Sequence, residues 1–215
     1  MQNNGQLPGW HVLLIGGGSV VGKTSISQVL ARRLGVFLLS VDDVRLALQH
    51  TTTPEQHPAL HLFWENREVW QQSPEVLCNG LIEVGKVVSH ALEIIVAHHI
   101  AIKDVGAVII EGDGILPSFA SQDHFEQLPF FAGLSVKNEL RSVFLYEHDE
   151  QVLFENMRQR GRGFESFSPS EQQTQVRMSW LYGQWIRQEA QKYGLPVMEV
   201  RPWETVIERM LGVIG

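Results

Sequence analysis

The chain has 215 residues, 44% hydrophobic and 19% charged, with 17 Lys and Arg against 24 Asp and Glu and a formal net charge of −7. At about 150 residues per domain this is one compact domain, 1–215, long enough to fold without staples. The acidic balance argues against a general nucleic-acid binder, and a single cysteine, Cys78, excludes an intramolecular disulfide and suits a reducing compartment.

The first ten residues, rich in Asn, Gln and Gly, read as a frayed tail without the charged and apolar regions of a signal peptide. Five apolar runs follow: His11–Ile15, Val36–Val41, Ala107–Ile110, Arg141–Tyr146 and Pro196–Val200. Most are continuous rather than alternating, as in strands of a parallel sheet buried on both faces. Between them lie helical signals. Lys23 to Leu34 places Ile26, Val29, Leu30 and Leu34 on one face and stops at Gly35. Thr53-Pro54-Glu55-Gln56 and Ser168-Pro169-Ser170-Glu171 read as capping boxes, and Ser73-Pro74-Glu75 as an N-cap with an acidic first turn. Val87 to Ile102 is broken by Ser89, His90, Glu93, His98 and His99, so it reads as a buried helix rather than a membrane span. The alternation predicts an α/β protein with a mostly parallel sheet. Val41 to Gly106 is too long for a simple crossover and predicts a helical subdomain (46–104) where a second substrate can sit.

Gly17-Gly18-Ser19-Val20-Val21-Gly22-Lys23-Thr24, followed by Ser25, matches the P-loop pattern G-x-x-x-x-G-K-[ST]. Its glycines let the backbone wrap closely, with amides turned to phosphate oxygens. Lys23 is expected to reach the β- and γ-phosphates and Thr24 to bind Mg²⁺, and the helix that follows adds its positive end. The spacing of Gly16-Gly17-Gly18 does not fit a dinucleotide fingerprint. No Asn-Lys-x-Asp motif points to a GTPase, and no Leu-Ser-Gly-Gly-Gln to an ABC ATPase.

Three further motifs narrow the reading: Ser40-Val41-Asp42-Asp43-Val44-Arg45, Val108-Ile109-Ile110-Glu111-Gly112-Asp113, and Arg158, Arg160 and Arg162 spaced by Gly161 and Gly163. With them the chain resembles P-loop small-molecule kinases of the nucleoside-monophosphate-kinase-like group, most of all 2-phosphoglycerate kinase and the chloramphenicol phosphotransferase and zeta-toxin relatives. The resemblance runs from Val12 to about Ile207. It implies a P-loop NTPase fold with five parallel strands in the order 2-3-1-4-5. It also implies a helical substrate-binding region after the second strand and an Arg-bearing lid (158–168) after the fourth.

Asp42, at the ligand side of the second strand, is expected to accept or position the acceptor's hydroxyl proton, with Asp43 as the alternative; either also reads as a helix N-cap. Arg45, one turn on, suits an anionic group of the acceptor. Glu111 is expected to hold Mg²⁺ through water or to touch the acceptor, and Asp113 is its alternative. Arg158 and Arg162, with Arg160, suit closure over the transferring phosphate. By resemblance, Arg201 or Trp203 stacks on adenine; Trp203 reads equally as core.

Weaker signals remain. Phe63, Trp64, Arg67 and Trp70 read mainly as the insertion's own core and secondarily as an acceptor-pocket wall. His57, His61 and Glu65 have helical metal-site spacing but read as a polar face. His98-His99 suits a helix C-terminus, and Cys78 reads as buried and inert. The expected function is an ATP- and Mg²⁺-dependent phosphotransferase, cytoplasmic, monomeric or homodimeric, acting on a hydroxyl of a phospho-acid, sugar or antibiotic-like acceptor. A regulatory nucleotide-binding protein with slow hydrolysis and a zeta-toxin-like nucleotide-sugar kinase are the alternatives.

Overall fold

The apolar runs form β1 (Val12–Gly17), β2 (Phe37–Ser40), β3 (Val108–Glu111), β4 (Leu140–Tyr146) and β5 (Val197–Glu199). A computed structural model describes residues 9–63, 67–125, 131 and 133–215 of the chain. Among these, the strands pair in parallel as one sheet in the order β2-β3-β1-β4-β5. The helices are α1 (Lys23–Leu34), α2 (Val41–Thr51), α3 (Pro58–His61), α4 (Pro74–Ala101), α5 (Pro117–Ala120), α6 (Glu150–Arg160), α7 (Pro169–Lys192) and α8 (Val206–Ile214). None of the described helices is long and apolar enough to cross a membrane.

Continuous hydrophobicity in the central strands has a direct cause. Val12 and Leu14 enter one core with α4 and α7, while Leu13 and Ile15 enter another with α1 and α8. β3 and β4 divide in the same way: Ile110 and Phe144 face the first core, Ile109 and Leu145 the second. A strand covered on both faces has no solvent side on which to place polar residues.

Four local expectations are corrected. β2 takes the edge position that the implied order gives it, but it is not buried on both faces: Phe37 is 63% exposed. Trp10 belongs to no tail: it is buried in the core beside α1 and α8, while residues 1–8 lie outside the described residues. The Thr53 capping box starts no helix. Thr53 and Pro54 open a turn, with the Gln56 and His57 amides both donating to the Thr53 carbonyl. Pro58 explains this, since it has no N–H to donate to the residue-54 carbonyl and its ring would clash there. The short helix α3 begins at Pro58 itself. Finally, the second strand stops at Ser40 and Val41 already opens α2.

The Ser73 and Ser168 caps form as expected. Ser168 and Glu171 make the full capping box, and the Ser73 hydroxyl accepts from the Val76 amide. From Ser73 the chain runs 28 residues without a break, ending past His98 and His99 in the last turn of α4. Val88, Leu92, Val96 and Ile100 of α4 lie in the sheet core. The long β2–β3 connection is therefore partly the crossover helix itself, and its earlier portion overhangs the strand ends. Trp64, Glu65 and the side chain of Arg67 lie outside the described residues. Cys78 is a buried free thiol whose pKa is pushed up by desolvation to about 11, as an inert core cysteine requires.

Where β3 ends, the chain passes close to the start of α2. A Cβ placed on Gly112 would lie 2.5 Å from Cβ of Val41, with backbone rather than a flexible tip behind it. Gly112→Ala is expected to force the two elements apart and cost roughly 1–3 kcal/mol. Calorimetry should show a melting temperature lower by roughly 2–12 °C.

Candidate active site

β1 delivers the chain into the Gly-rich loop at the carboxyl end of the sheet, where open parallel sheets bind ligands. The loop turns sharply: Val20 has φ 53 and Gly22 φ 95, the former unusual for a β-branched residue. Its carbonyls are held from outside. Lys23 Nζ donates to the Gly18 carbonyl at 2.6 Å, Ser179 Oγ to that of Ser19 at 3.2 Å and Asn156 Nδ2 to that of Val20 at 3.0 Å. Among the described residues, nothing accepts from the backbone amides of 19–25. Carbonyls tied back and amides left open make an anion cradle at a helix N-terminus.

Gly22 also meets a packing demand. A Cβ there would lie 2.5 Å from the indole ring of Trp203, so that ring sits directly on the loop. Trp203 is 42% exposed, which places it on the wall of the cleft and outside the core.

The carboxylates gather around Lys23, which is buried. Its ammonium forms an ion pair with Asp113. Glu111, at the β3 end beside Ile15 of β1, is also buried and accepts from the Thr24 hydroxyl at 3.0 Å. Burial raises the Glu111 pKa above its ordinary value, against the opposing pull of Lys23 and Thr24. Tyr182 on α7 donates its hydroxyl to the Asp113 carbonyl and so fixes that turn. The arrangement of Thr24 hydroxyl, Glu111 and Asp113 is a set of hard oxygens, and with the open amides and Lys23 it fits Mg²⁺ and a polyphosphate.

Asp42 and Arg45 come together on the opposite wall, with Arg45 Nη2 3.3 Å from Asp42 Oδ1. Neither Asp42 nor Asp43 caps α2; Ser40 does, its hydroxyl accepting from the Asp42 amide at 3.2 Å. Asp42 thereby has no capping duty. It lines the same cleft, of about 770 Å³, as Lys23, Glu111 and Asp113, and Asp43 does not.

The arginine cluster divides. Arg158 and Arg160 lie in the last turn of α6, and only Arg162 lies on the loop. Arg160 and Arg162 line the cleft, whereas Arg158 pairs with Glu155 at 2.6 Å outside it. Helical periodicity separates residues two apart by about 200°, so 158 and 160 cannot share a face. The segment that follows is pinned by Phe164, which is buried and packs against Phe154 at 5.7 Å. At the far end, Arg201 Nε lies 3.4 Å from Glu147, a buried carboxylate that follows β4 and also lines the cleft. Glu147 and Tyr182 carry no motif. Only the position of Glu147 after an apolar strand marks it in advance.

Among the described residues, His57 and His61 belong to no metal-like group. His57 precedes α3, His61 Nε2 faces the Thr52 hydroxyl at 3.4 Å, and Glu65 is outside the described residues. The one metal-like group among the described residues, Glu147, His148 and Glu199, has Arg201 beside it, which disfavours a cation.

No protein-family model matches the chain. The 2-phosphoglycerate kinase of Pyrococcus furiosus is 27% identical over 138 residues, or 62% of this chain and 45% of that protein. The chain thus matches less than half of that relative's length. Among solved structures, shikimate kinase from Acinetobacter baumannii in complex with shikimate superposes over 98% of this chain and 94% of that one. Its TM-score is 0.53 at 16% identity. A sugar kinase from a Janibacter species gives 0.49 at 19% identity, over 96% and 94% of the two chains.

A carboxyl with a raised folded pKa favours the folded state when protonated, so the stability it carries is full at low pH and is lost as pH rises past about 4.5. Glu111→Gln is therefore expected to gain melting temperature relative to the unsubstituted protein as pH increases from 4 to 7. Paired thermal melts across that range measure the difference.

Proposed function

We propose, from the fold of P-loop small-molecule kinases that this chain has, that it is an ATP-dependent phosphotransferase acting on a hydroxyl group of a small molecule. The observation that carries the reading is the convergence of Lys23, Thr24, Glu111, Asp113 and Asp42 on one cleft, beside a loop whose amides are open. The partial likeness to a protein named 2-phosphoglycerate kinase supports the same class.

Each residue then has a chemical task. Loop amides and Lys23 hold the β- and γ-phosphates, and Lys23 exchanges its Asp113 partner for phosphate oxygens. Thr24, and Glu111 through water, would hold Mg²⁺, which would neutralise charge on the phosphates. The acceptor oxygen bonds to the γ-phosphorus while the bond from that phosphorus to the β–γ bridging oxygen breaks. ADP leaves with the electron pair. Asp42 takes the hydroxyl proton, with Arg45 orienting its carboxylate. Arg160 and Arg162 stabilise the transferring charge from the α6 end; Arg158 is assigned no contact. Trp203 and Arg201 provide a stacking surface for adenine, with Glu147 orienting Arg201.

Mg²⁺–ATP at a hundred times its Kd is expected to stabilise the protein by about 2.7 kcal/mol. That is a melting-temperature rise of roughly 5–11 °C, smaller with GTP and absent in Lys23→Ala. Asp42→Asn should retain the rise and lose roughly 10²- to 10⁴-fold in turnover once an acceptor is supplied, measured by ADP release. Binding without transfer to any acceptor would favour a regulatory nucleotide-binding protein instead.

A further inference from the structure

The phosphate loop is braced by helices distant from it in sequence. α7 runs directly against it: a Cβ on Gly18 would lie 3.2 Å from the Ser179 carbonyl oxygen and 3.4 Å from Cα of Gly183. From this helix the buried Ser179 donates its hydroxyl to the Ser19 carbonyl at 3.2 Å. Serines inside helices commonly turn the hydroxyl back on their own preceding turn, as Ser89 of α4 does toward the Gly85 carbonyl. Ser179 directs it across to the loop.

The residue after Ser19 shows what that bond opposes. Val20 has φ 53, in the left-handed region, where a β-branched side chain is strained. A peptide unit is planar, with its C=O and N–H on opposite edges. Turning the Ser19–Val20 unit over would carry φ of Val20 by half a turn, into the extended region that valine prefers. It would also put the Ser19 carbonyl where the open Val20 amide now stands, and a carbonyl oxygen repels a phosphate. Ser179 binds this carbonyl and so opposes the turnover. Asn156 of α6 holds the following carbonyl, that of Val20, at 3.0 Å. Both peptide units flanking the strained residue are thus fixed from outside the loop.

We propose that Ser179 is a positioning residue of the phosphate loop. Its hydroxyl locks the Ser19–Val20 peptide in the orientation that offers the Val20 amide to a phosphate, and keeps Val20 in a backbone conformation it would otherwise leave. The inference rests on the nucleotide-binding part of the reading above and adds to it a residue that touches no phosphate. Local sequence gives no sign of it, since Ser179 stands 160 residues beyond the carbonyl it holds.

The test is calorimetric titration of the full chain with Mg²⁺–ATP and, separately, with Mg²⁺ and inorganic tripolyphosphate, which carries phosphates without a base. Ser179→Ala is measured alone and beside Val20→Gly, each change in Kd taken within its own background. A hydrogen bond to a charged group is worth roughly 10- to 150-fold in affinity. Ser179→Ala alone is expected to raise Kd for both ligands at least fivefold, because Val20 then turns its amide away. Glycine adopts a positive φ without strain, so beside Val20→Gly the same substitution should raise Kd less than twofold. Thermal melts of the free variants check that each is folded; Ser179→Cys, close in size and a far weaker donor, replaces Ser179→Ala where it is not. A residue that merely packs α7 against the loop would give the same change in both backgrounds, and that equality overturns the inference. So does an unchanged Kd in Ser179→Ala alone. An unsubstituted protein that binds neither ligand overturns the phosphotransfer reading itself.

Discussion

The structure turns on one buried positive charge. Lys23 places an ammonium where water is largely absent, and such a group is tolerated only with compensating partners. The Gly18 carbonyl and Asp113 supply them, while Glu111 and Thr24 form the adjoining pair. These groups come from the loop that follows β1, from α1 and from the β3 end, so the pairing of β1 with β3 is a condition of the charge balance. Burial disfavours the ionised Glu111 while Lys23 favours it. In the phosphotransfer reading proposed above, these internal partners are the ones that phosphate and a cation would replace.

Elements specified by local chemistry were legible in the sequence. β1, the loop and α1 depend on a contiguous motif, and α1 spans Lys23–Leu34 as its periodicity and Gly35 indicate. The Ser168 capping box is equally local. The Thr53 box has the same pattern and keeps one of its bonds, the Thr53 amide donating to the Gln56 side chain at 2.9 Å, but Pro58, five residues on, stops a helix from following. The exposure of β2 depends on which strand lies at the sheet edge, a property of the assembled topology that hydrophobicity alone does not carry.

The site divides along the same line. Asp42, Arg45, Glu111 and Asp113 were legible because they sit at strand ends next to recognisable turns. Their pairings were not: that Lys23 meets Asp113 while Thr24 meets Glu111 depends on how β3 turns after its last residue. Gly112 is small for a packing reason, the close passage of Val41, which its place in the motif does not announce. Glu147 and Tyr182 act through contacts 54 and 69 residues distant in sequence, and no local pattern announces such partners.

α4 joins two demands in one rod. At 1.5 Å per residue its 28 residues extend about 42 Å, and along it Leu81 and Val84 line the cleft while Ile100 lies in the sheet core. Val88 belongs to both regions. A substitution that reshapes the pocket from this helix is therefore transmitted to the packing of the sheet. The segment that leads into it carries the same double duty: Phe63 and Trp70 line the cleft, while Leu60 and Val69 are buried in the core. In this architecture, the shape of the cleft and the packing of the sheet are inherited together.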